Sequence, residues 1–172
     1  MQKILPKKFF VILSYLTIFL LVKTEVSLAM KITSPEFKNS QSIPAKFTCQ
    51  GQGVNPALII TDIPPAAKSL VLFMDDPDAP SGNFVHWVVY DIPVIGRIQE
   101  NSVPGKQGSN DAGGINYVSP CPPSGIHRYF FKIYALDKMF NSDEGLSKSS
   151  LESAMSGHIL DQAELIGLYK KR

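Results

Sequence analysis

Two segments in the middle of the chain, SLVLFM at residues 69–74 and WVVY at residues 87–90, are almost continuously apolar. A strand with one face in water alternates apolar and polar residues, whereas a run without alternation is typical of a strand covered on both faces. Turn signals rich in proline, glycine and aspartate separate these segments from further strand-like runs. The sequence therefore predicts a sheet with buried central strands.

The remaining segments favour strands joined by turns over a helical bundle. Further strand-like runs are AKFTC, ALIITDI, RYFFKIYAL and AELIGLY. Ser149 and Glu152 form a capping-box pattern that predicts a helix near the end of the chain. The helical spacing that follows involves Leu151, Ala154, Met155, His158 and Ile159, and it places His158 on the apolar face as a core residue. We predict a mainly β fold, an antiparallel β-sandwich with one or two peripheral helices.

Residues 1–29 have the features of a secretory signal peptide. Lysines at positions 3, 7 and 8 precede an uncharged run from Phe9 to Val22, which is shorter than the roughly 20 residues that span a bilayer. The segment Ser27–Ala29 then offers small residues at the positions that a signal peptidase recognises. We predict a periplasmic or secreted protein with one domain, residues 30–172. An uncleaved anchor, or a cytoplasmic form that starts at Met30, is the alternative.

Charge argues against a nucleic-acid partner. The whole chain holds 17 Lys and Arg against 15 Asp and Glu, and residues 1–29 contain four of the lysines and one of the acids. The remaining domain therefore has 13 basic and 14 acidic residues, a net charge of −1. Nucleic-acid surfaces need clustered Lys and Arg. We expect no nucleic-acid binding, and no stable membrane insertion once the signal is removed.

Titratable side chains are concentrated where strand-like runs begin or end. Asp76 and Asp78 follow one run, His86 opens the next, and His127 and Tyr129 open a third. If these ends meet, the cluster could bind a metal, perform acid–base or hydrolytic chemistry, or hold a small anion. Each group also has a structural explanation, since Asp-Pro-Asp is a common turn and a lone histidine is often packed.

Enzyme motifs are absent from the sequence. No G-x-S-x-G nucleophile elbow is present, and no H-x-x-x-H or H-x-H spacing suggests a metal site. We therefore predict no catalytic residues, no metal site and no cofactor.

Several motifs in order resemble the phosphatidylethanolamine-binding protein family, in particular its bacterial Raf kinase inhibitor-like branch. They are MKITSPEF, FTCQGQGVNPAL, DDPDAPSG, HWVVYDIP, CPPSGIHRYFFKIYALD and AELIGLY, and they span the chain from Met30 onwards. The resemblance implies a β-sandwich with a small pocket at one end that accepts phosphate-like anions or phospholipid head groups.

The resemblance also implies a set of ligand-binding residues. In this sequence they are Asp76, Asp78, His86, Cys121, Pro122, Pro123, His127 and Tyr129. Cys121 would donate its backbone N–H to an anion, and the proline pair would form a wall. Val85 stands where relatives often have an aromatic residue, which predicts a wider pocket on that side.

The two cysteines of the domain, Cys49 and Cys121, are an even number in a chain with export features. Oxidising compartments permit disulfides, so we expect a bridge that ties the N-terminal loop to the pocket wall, with two free thiols as the alternative.

The functional prediction is a small-ligand-binding protein without catalytic turnover, which binds a phosphate-like anion or a phospholipid head group. One alternative is an inhibitor or interaction module that acts on a protease or kinase partner. The other is a hydrolase or metal-dependent enzyme that uses the Asp and His cluster. The sequence leaves open whether the protein has a protein partner or forms a homodimer.

Overall fold

The computed structural model describes residues 28–172, so the prediction for residues 1–27 of the signal peptide lies outside the described part of the chain. The described residues form nine strands, a short 3₁₀ helix (Ala45–Phe47) and one α-helix, α1 (Lys148–Met155). The strands are β1 (Lys31–Thr33), β2 (Gln41–Ser42), β3 (Leu58–Thr61), β4 (Ser69–Asp76), β5 (Phe84–Ile92), β6 (Arg97–Ile98), β7 (Lys106–Gln107), β8 (His127–Leu136) and β9 (Ile159–Tyr169).

These strands make two sheets. The larger sheet has the order β2-β9-β8-β4-β5-β7, and the smaller has the order β1-β3-β6. The strand pairs are antiparallel except for β2 and β9, which run parallel. The predicted antiparallel β-sandwich with few helices is confirmed.

Strands β4 and β5 are buried on both faces. In β4, Leu70, Leu72 and Met74 belong to the larger core cluster, which the two sheets share. The alternate residues Val71 and Phe73 belong to a second cluster beneath α1. The near-continuous apolar runs therefore arise because one face of these strands packs in the main core and the other under a helix. Each such side chain contributes about 1.5–3 kcal/mol by leaving water.

The N-cap of helix α1 lies two residues before the predicted one. The hydroxyl of Ser147, not that of Ser149, accepts a hydrogen bond from the backbone N–H of Ser150 at 3.1 Å. The buried residues of the helix are Leu151 and Met155, as the apolar spacing predicted. Of the residues described, none forms a helix with the length and apolarity needed to cross a bilayer.

The predicted helix extends too far at its C-terminal end. Gly157 has a φ of +77°, a left-handed conformation that commonly ends a helix. His158 therefore lies beyond the helix, half exposed, with Nδ1 2.8 Å from Oδ1 of Asp137, and the prediction that it is a core residue is wrong. Ile159 is likewise not helical, because it begins β9.

Candidate ligand-binding site

A cavity of about 420 Å³ lies at the end of the sandwich where β4 ends and where β5 and β8 begin. Strand β4 runs antiparallel to both neighbours, so its last residues lie beside their first residues: Asp76 pairs with Phe84, and Asp75 pairs with Phe130. This topology brings three distant sequence motifs together. The cavity is lined by Asp76, Ala79, Pro80, Ser81, Phe84, His86, Val118, Ser119, Cys121, Pro122, Pro123, His127 and Tyr129.

The period of two along a strand places Asp76 in the cavity. It continues the face of β4 that carries Met74 into the main core, and Tyr129 continues the matching face of β8. The preceding residue, Asp75, points to the other face. There its carboxylate accepts hydrogen bonds from Lys132 at 3.2 Å and from Lys148 of α1 at 2.6 Å.

A β-bulge sets the position of His86. Met74 of β4 pairs with Trp87, but the next residue, Asp75, pairs with Val85, so His86 is an extra residue in β5. Strict alternation would place His86 and Trp87 on opposite faces, and a bulge can redirect a side chain. The ring of His86 packs edge-on against Tyr129, with 5.2 Å between ring centroids.

One buried carboxylate organises the two histidines. Oδ2 of Asp76 lies 2.7 Å from Nδ1 of His127 and 4.0 Å from Nε2 of His86, and Oδ1 accepts a hydrogen bond from the backbone N–H of Asp78. Nδ1 of His86 lies 2.8 Å from the carbonyl oxygen of Val118. Carboxylate and carbonyl oxygens only accept, so Nδ1 of each ring holds a hydrogen. Nε2 of each ring is left to bind a ligand, as an acceptor when the ring is neutral and as a donor when it is protonated.

Burial changes the titration of two groups at the site. Desolvation lowers the pKa of His86, and the Val118 carbonyl and the Asp76 carboxylate oppose that effect. Burial, together with the nearby Asp76 carboxylate, raises the pKa of Tyr129. The Tyr129 hydroxyl is buried and has no hydrogen-bond partner among the described residues, although its ring lines the cavity.

The placement of Asp78 corrects a sequence-based prediction. Its carboxylate does not line the cavity, because it accepts hydrogen bonds from Nε of Arg128 at 2.8 Å, from Nη2 at 2.7 Å and from the backbone N–H at 2.9 Å. This pairing lowers the pKa of Asp78 to about 2. The contacts between Asp78 and Arg128 thus hold the Asp-Pro-Asp turn against the start of β8, beside His127. Arg128 is the structural partner of Asp78.

All the other predicted ligand residues do line the cavity: Asp76, His86, Cys121, Pro122, Pro123, His127 and Tyr129. The sequence reasoning missed the cavity-lining residues Ala79, Pro80, Ser81, Phe84, Val118 and Ser119. Phe84 also corrects the prediction of a wider wall beside Val85. Its ring centroid lies 4.9 Å from that of His86, so an aromatic wall is present one residue earlier than expected.

One wall of the cavity is an irregular segment fastened by a disulfide. Cys49 and Cys121 are bonded, with 5.4 Å between their Cα atoms, and the backbone N–H of Cys49 donates to the carbonyl of Pro120. The backbone N–H of Val118 donates to the carbonyl of His86. The predicted pairing of the cysteines is thus the one the structure contains.

Metal binding has no structural support in residues 28–172. No three side chains of His, Cys, Asp or Glu are grouped there in a way that could hold a metal ion.

Comparisons with known proteins agree with the fold. The family model for phosphatidylethanolamine-binding protein matches residues 33–170. A UPF0098 protein of Chlamydia trachomatis is 45% identical over 149 residues, which covers 83% of this chain and 99% of the relative. A UPF0098 protein of Methanothermobacter thermautotrophicus is 43% identical over 153 residues, with the same two coverages.

Two solved structures are similar to this chain. The crystal structure of a putative phosphatidylethanolamine-binding protein homologue from Chlamydia trachomatis has a TM-score of 0.82 and 44% identity, and the match covers 84% of this chain and 99% of that one. The crystal structure of E. coli YbcL, described as a new member of the mammalian family, has a TM-score of 0.77 and 25% identity, with coverages of 84% and 100%.

Proposed function

The chain belongs to the phosphatidylethanolamine-binding protein family, and we propose that it binds small phosphate-bearing molecules, such as phospholipid head groups, in the cavity formed by Asp76, His86, His127 and Tyr129. The family is named for binding proteins and not for an enzyme. The chemistry of this cavity supports phosphate-bearing molecules as the ligand class.

The observation on which the proposal depends is the shared orientation of the two histidines. Both rings use Nδ1 within the protein, His86 toward Val118 and His127 toward Asp76, and each leaves Nε2 for a ligand. Two imidazoles that can gain protons suit an anion whose oxygens accept hydrogen bonds. Cys121 also lines the cavity, and its backbone N–H is the further donor that the family resemblance implies.

The Asp76 carboxylate restricts which anions fit. A fully ionised phosphate would be repelled by it, whereas a phosphate that shares a proton with a histidine would not. A head group with its own ammonium offers a second solution, because that cation can approach the carboxylate. The volume of about 420 Å³ lies at the small end of the range for ligand pockets, so it suits a head group better than acyl chains.

Calorimetric titration of residues 30–172 with phosphate and phosphoethanolamine tests this function. We expect His86→Ala to weaken binding of both by about 10- to 150-fold, which corresponds to the roughly 1.5–3 kcal/mol typical of a hydrogen bond to a charged group. His158→Ala is the matched control, since His158 pairs with Asp137 outside the cavity. Equal affinity of wild type and His86→Ala for both ligands would contradict the proposal.

We also propose that the protein acts in the periplasm or is secreted. The basic start, the short apolar run and Ser27–Ala29 support export, and so does the disulfide, because such bonds persist mainly in oxidising compartments. The family match begins only at residue 33, after this segment. Intact-mass measurement of the protein from the extracytoplasmic fraction tests the proposal, and a mass that includes the apolar run would indicate an anchor instead.

A further inference from the structure

The backbone nitrogen of Met30 lies 2.8 Å from Oδ2 of Asp161 in β9. The other carboxylate oxygen of Asp161 accepts from the backbone N–H of Gln162 at 2.7 Å. Met30 is the first residue after the predicted cleavage point, and Oδ2 of Asp161 accepts the hydrogen bond from its nitrogen.

The packing of the chain changes at the same residue. Leu28 is 60% exposed and Ala29 is also exposed, whereas Met30 is only 3% exposed and belongs to the main core. Strand β1 then begins at Lys31. The core packing thus includes Met30, whereas Leu28 and Ala29 contribute little buried surface.

We propose that Asp161 is a binding site for the α-ammonium group of Met30, which exists only when the chain begins at that residue. Hydrolysis of the Ala29–Met30 bond adds water across the amide. The C–N bond breaks, the water oxygen joins the Ala29 carbonyl carbon to give a carboxylate, and the Met30 nitrogen keeps the electron pair of the broken bond and takes up both protons of the water. The resulting cation occupies the position from which the neutral N–H already donates to Asp161. Hydrogen bonds between charged groups are shorter and about twice as strong as neutral ones.

The lengths of the relatives support Met30 as the natural start of the domain. A match that covers 99% of two relatives covers 83% of this chain, which leaves about 29 residues uncovered, and the family-model match starts at residue 33. Translation that starts at Met30 would generate the same α-ammonium as cleavage. Cleavage and internal initiation both yield a free amino terminus at Met30. Its ion pair with Asp161 stabilises the cleaved or internally started chain relative to the longer one.

A four-protein cycle tests the ion pair without involving the ligand cavity. Residues 30–172 are prepared with a free or an Nα-acetylated Met30, each with Asp161 or with Asp161→Asn. Acetylation should lower the Tm by about 2–4 °C in the Asp161 background and by less than about 1 °C in the Asn background. Equal losses in both backgrounds would overturn the proposal. Asp137→Asn, which removes a half-exposed carboxylate elsewhere, should leave the acetylation effect unchanged.

Two further variants of the full chain distinguish the sources of the terminus. Met30→Leu removes the internal start codon and keeps the cleavage motif, whereas Ala29→Arg blocks recognition by a signal peptidase and keeps the start codon. A product that begins at residue 30 in the first variant identifies cleavage, and in the second it identifies internal initiation. If neither variant nor the wild type gives a chain that begins there, the proposal is overturned, whatever the outcome of ligand titration.

Discussion

Asp76 and His127 form a buried hydrogen-bonded pair, with Oδ2 2.7 Å from Nδ1, although 51 positions separate them in the chain. The pair forms because the end of β4 lies beside the beginning of β8 in an antiparallel arrangement. Both partners belong to the protein, so the Asp76 carboxylate does not depend on a ligand for a hydrogen-bond partner. The cavity therefore presents a carboxylate paired with an imidazole rather than a bare negative charge.

Ligand binding should be coupled to proton uptake at His86. Burial lowers the pKa of this histidine in the empty cavity, below its usual value near 6.5, and a bound anion would raise it again. Affinity should therefore increase as pH falls through the pKa of the complex, and it should level off below the pKa of the empty protein. Sulfate, whose charge is constant in this range, is the suitable ligand.

Calorimetry with sulfate at about pH 7.5 and 5.5, in buffers of different ionisation enthalpy, measures this coupling. We expect tighter binding and net proton uptake at the lower pH in the wild type. His86→Ala should reduce both effects, and His158→Ala should reduce neither. An identical pH dependence in the wild type and His86→Ala would show that His86 is not the titrating group.

Tyr129→Phe should weaken phosphate binding without lowering stability. The Tyr129 hydroxyl is buried without a partner among the described residues, and such a group costs about 1–3 kcal/mol. Its removal should leave the free energy of unfolding unchanged or raise it by up to about 1 kcal/mol. Phosphate affinity should fall about 3- to 10-fold, because a ligand oxygen would supply the missing partner. Urea denaturation and calorimetric titration measure the two effects.

Tyr117→Phe is the control for that variant. The Tyr117 hydroxyl donates to the carbonyl of Phe47 at 3.1 Å, and the residue does not line the cavity. Its loss should lower the free energy of unfolding by about 1 kcal/mol and leave phosphate affinity unchanged. A Tyr129→Phe protein that is destabilised like Tyr117→Phe, with normal affinity, would indicate a purely structural hydroxyl.

Local patterns were sufficient to predict the sandwich but not the orientation of each site residue. The apolar runs of β4 and β5 lack alternation because both faces are covered, and that signal is contained in the residues themselves. The bulge at His86 is different, since it depends on the pairing of β5 with β4 and leaves no mark in the sequence of β5. The position of His86 at a strand end made it a candidate for a cluster, and the resemblance to a family assigned it to the cavity.

The three acids of the Asp-Asp-Pro-Asp run show the same limit. The resemblance selected Asp76 and Asp78, yet Asp76 alone lines the cavity, because Asp78 pairs with Arg128. Asp75 was not singled out, although it is buried on the opposite face and bonded to Lys132 and Lys148. Which partner each carboxylate meets depends on elements far away in sequence. For that reason the motif could predict the location of a site and not its exact membership.

Asp78→Asn should weaken the fold in a pH-dependent way. Arg128 lowers the pKa of Asp78 to about 2, below the value near 3.9 expected in an unfolded chain. The unfolded state therefore binds more protons between these values. The stabilisation is complete above about pH 4 and is lost as pH falls toward 2. Thermal unfolding should show a lower Tm for Asp78→Asn than for wild type at pH 6, and the difference should shrink near pH 2.

Because Arg128 is half exposed, high salt should also reduce this difference. Asp62→Asn is the control. It removes a carboxylate 3.8 Å from Lys31 in an exposed contact, and it should change the Tm little at any pH. The phosphate affinity of Asp78→Asn should stay close to that of wild type, since Asp78 does not line the cavity. If Asp78→Asn lost as much phosphate affinity as His86→Ala, Asp78 would have to take part in ligand binding.

Reduction of the disulfide should affect both stability and binding, because Cys121 belongs to the cavity wall. The bridge joins residues 72 positions apart, and the chain-entropy model gives about 4 kcal/mol for a loop of that size. Without the bridge, the irregular wall segment keeps the backbone bonds from Cys49 to Pro120 and from Val118 to His86. The cavity should therefore persist with a more mobile wall, which a ligand must order at a cost in affinity.

We expect a lower urea midpoint and weaker phosphate binding for the Cys49→Ser, Cys121→Ser double variant. A dithiol reductant should reproduce both changes in the wild type and have no effect on the double variant. If the reduced wild type binds phosphate with undiminished affinity, the bridge stabilises the fold without ordering the site.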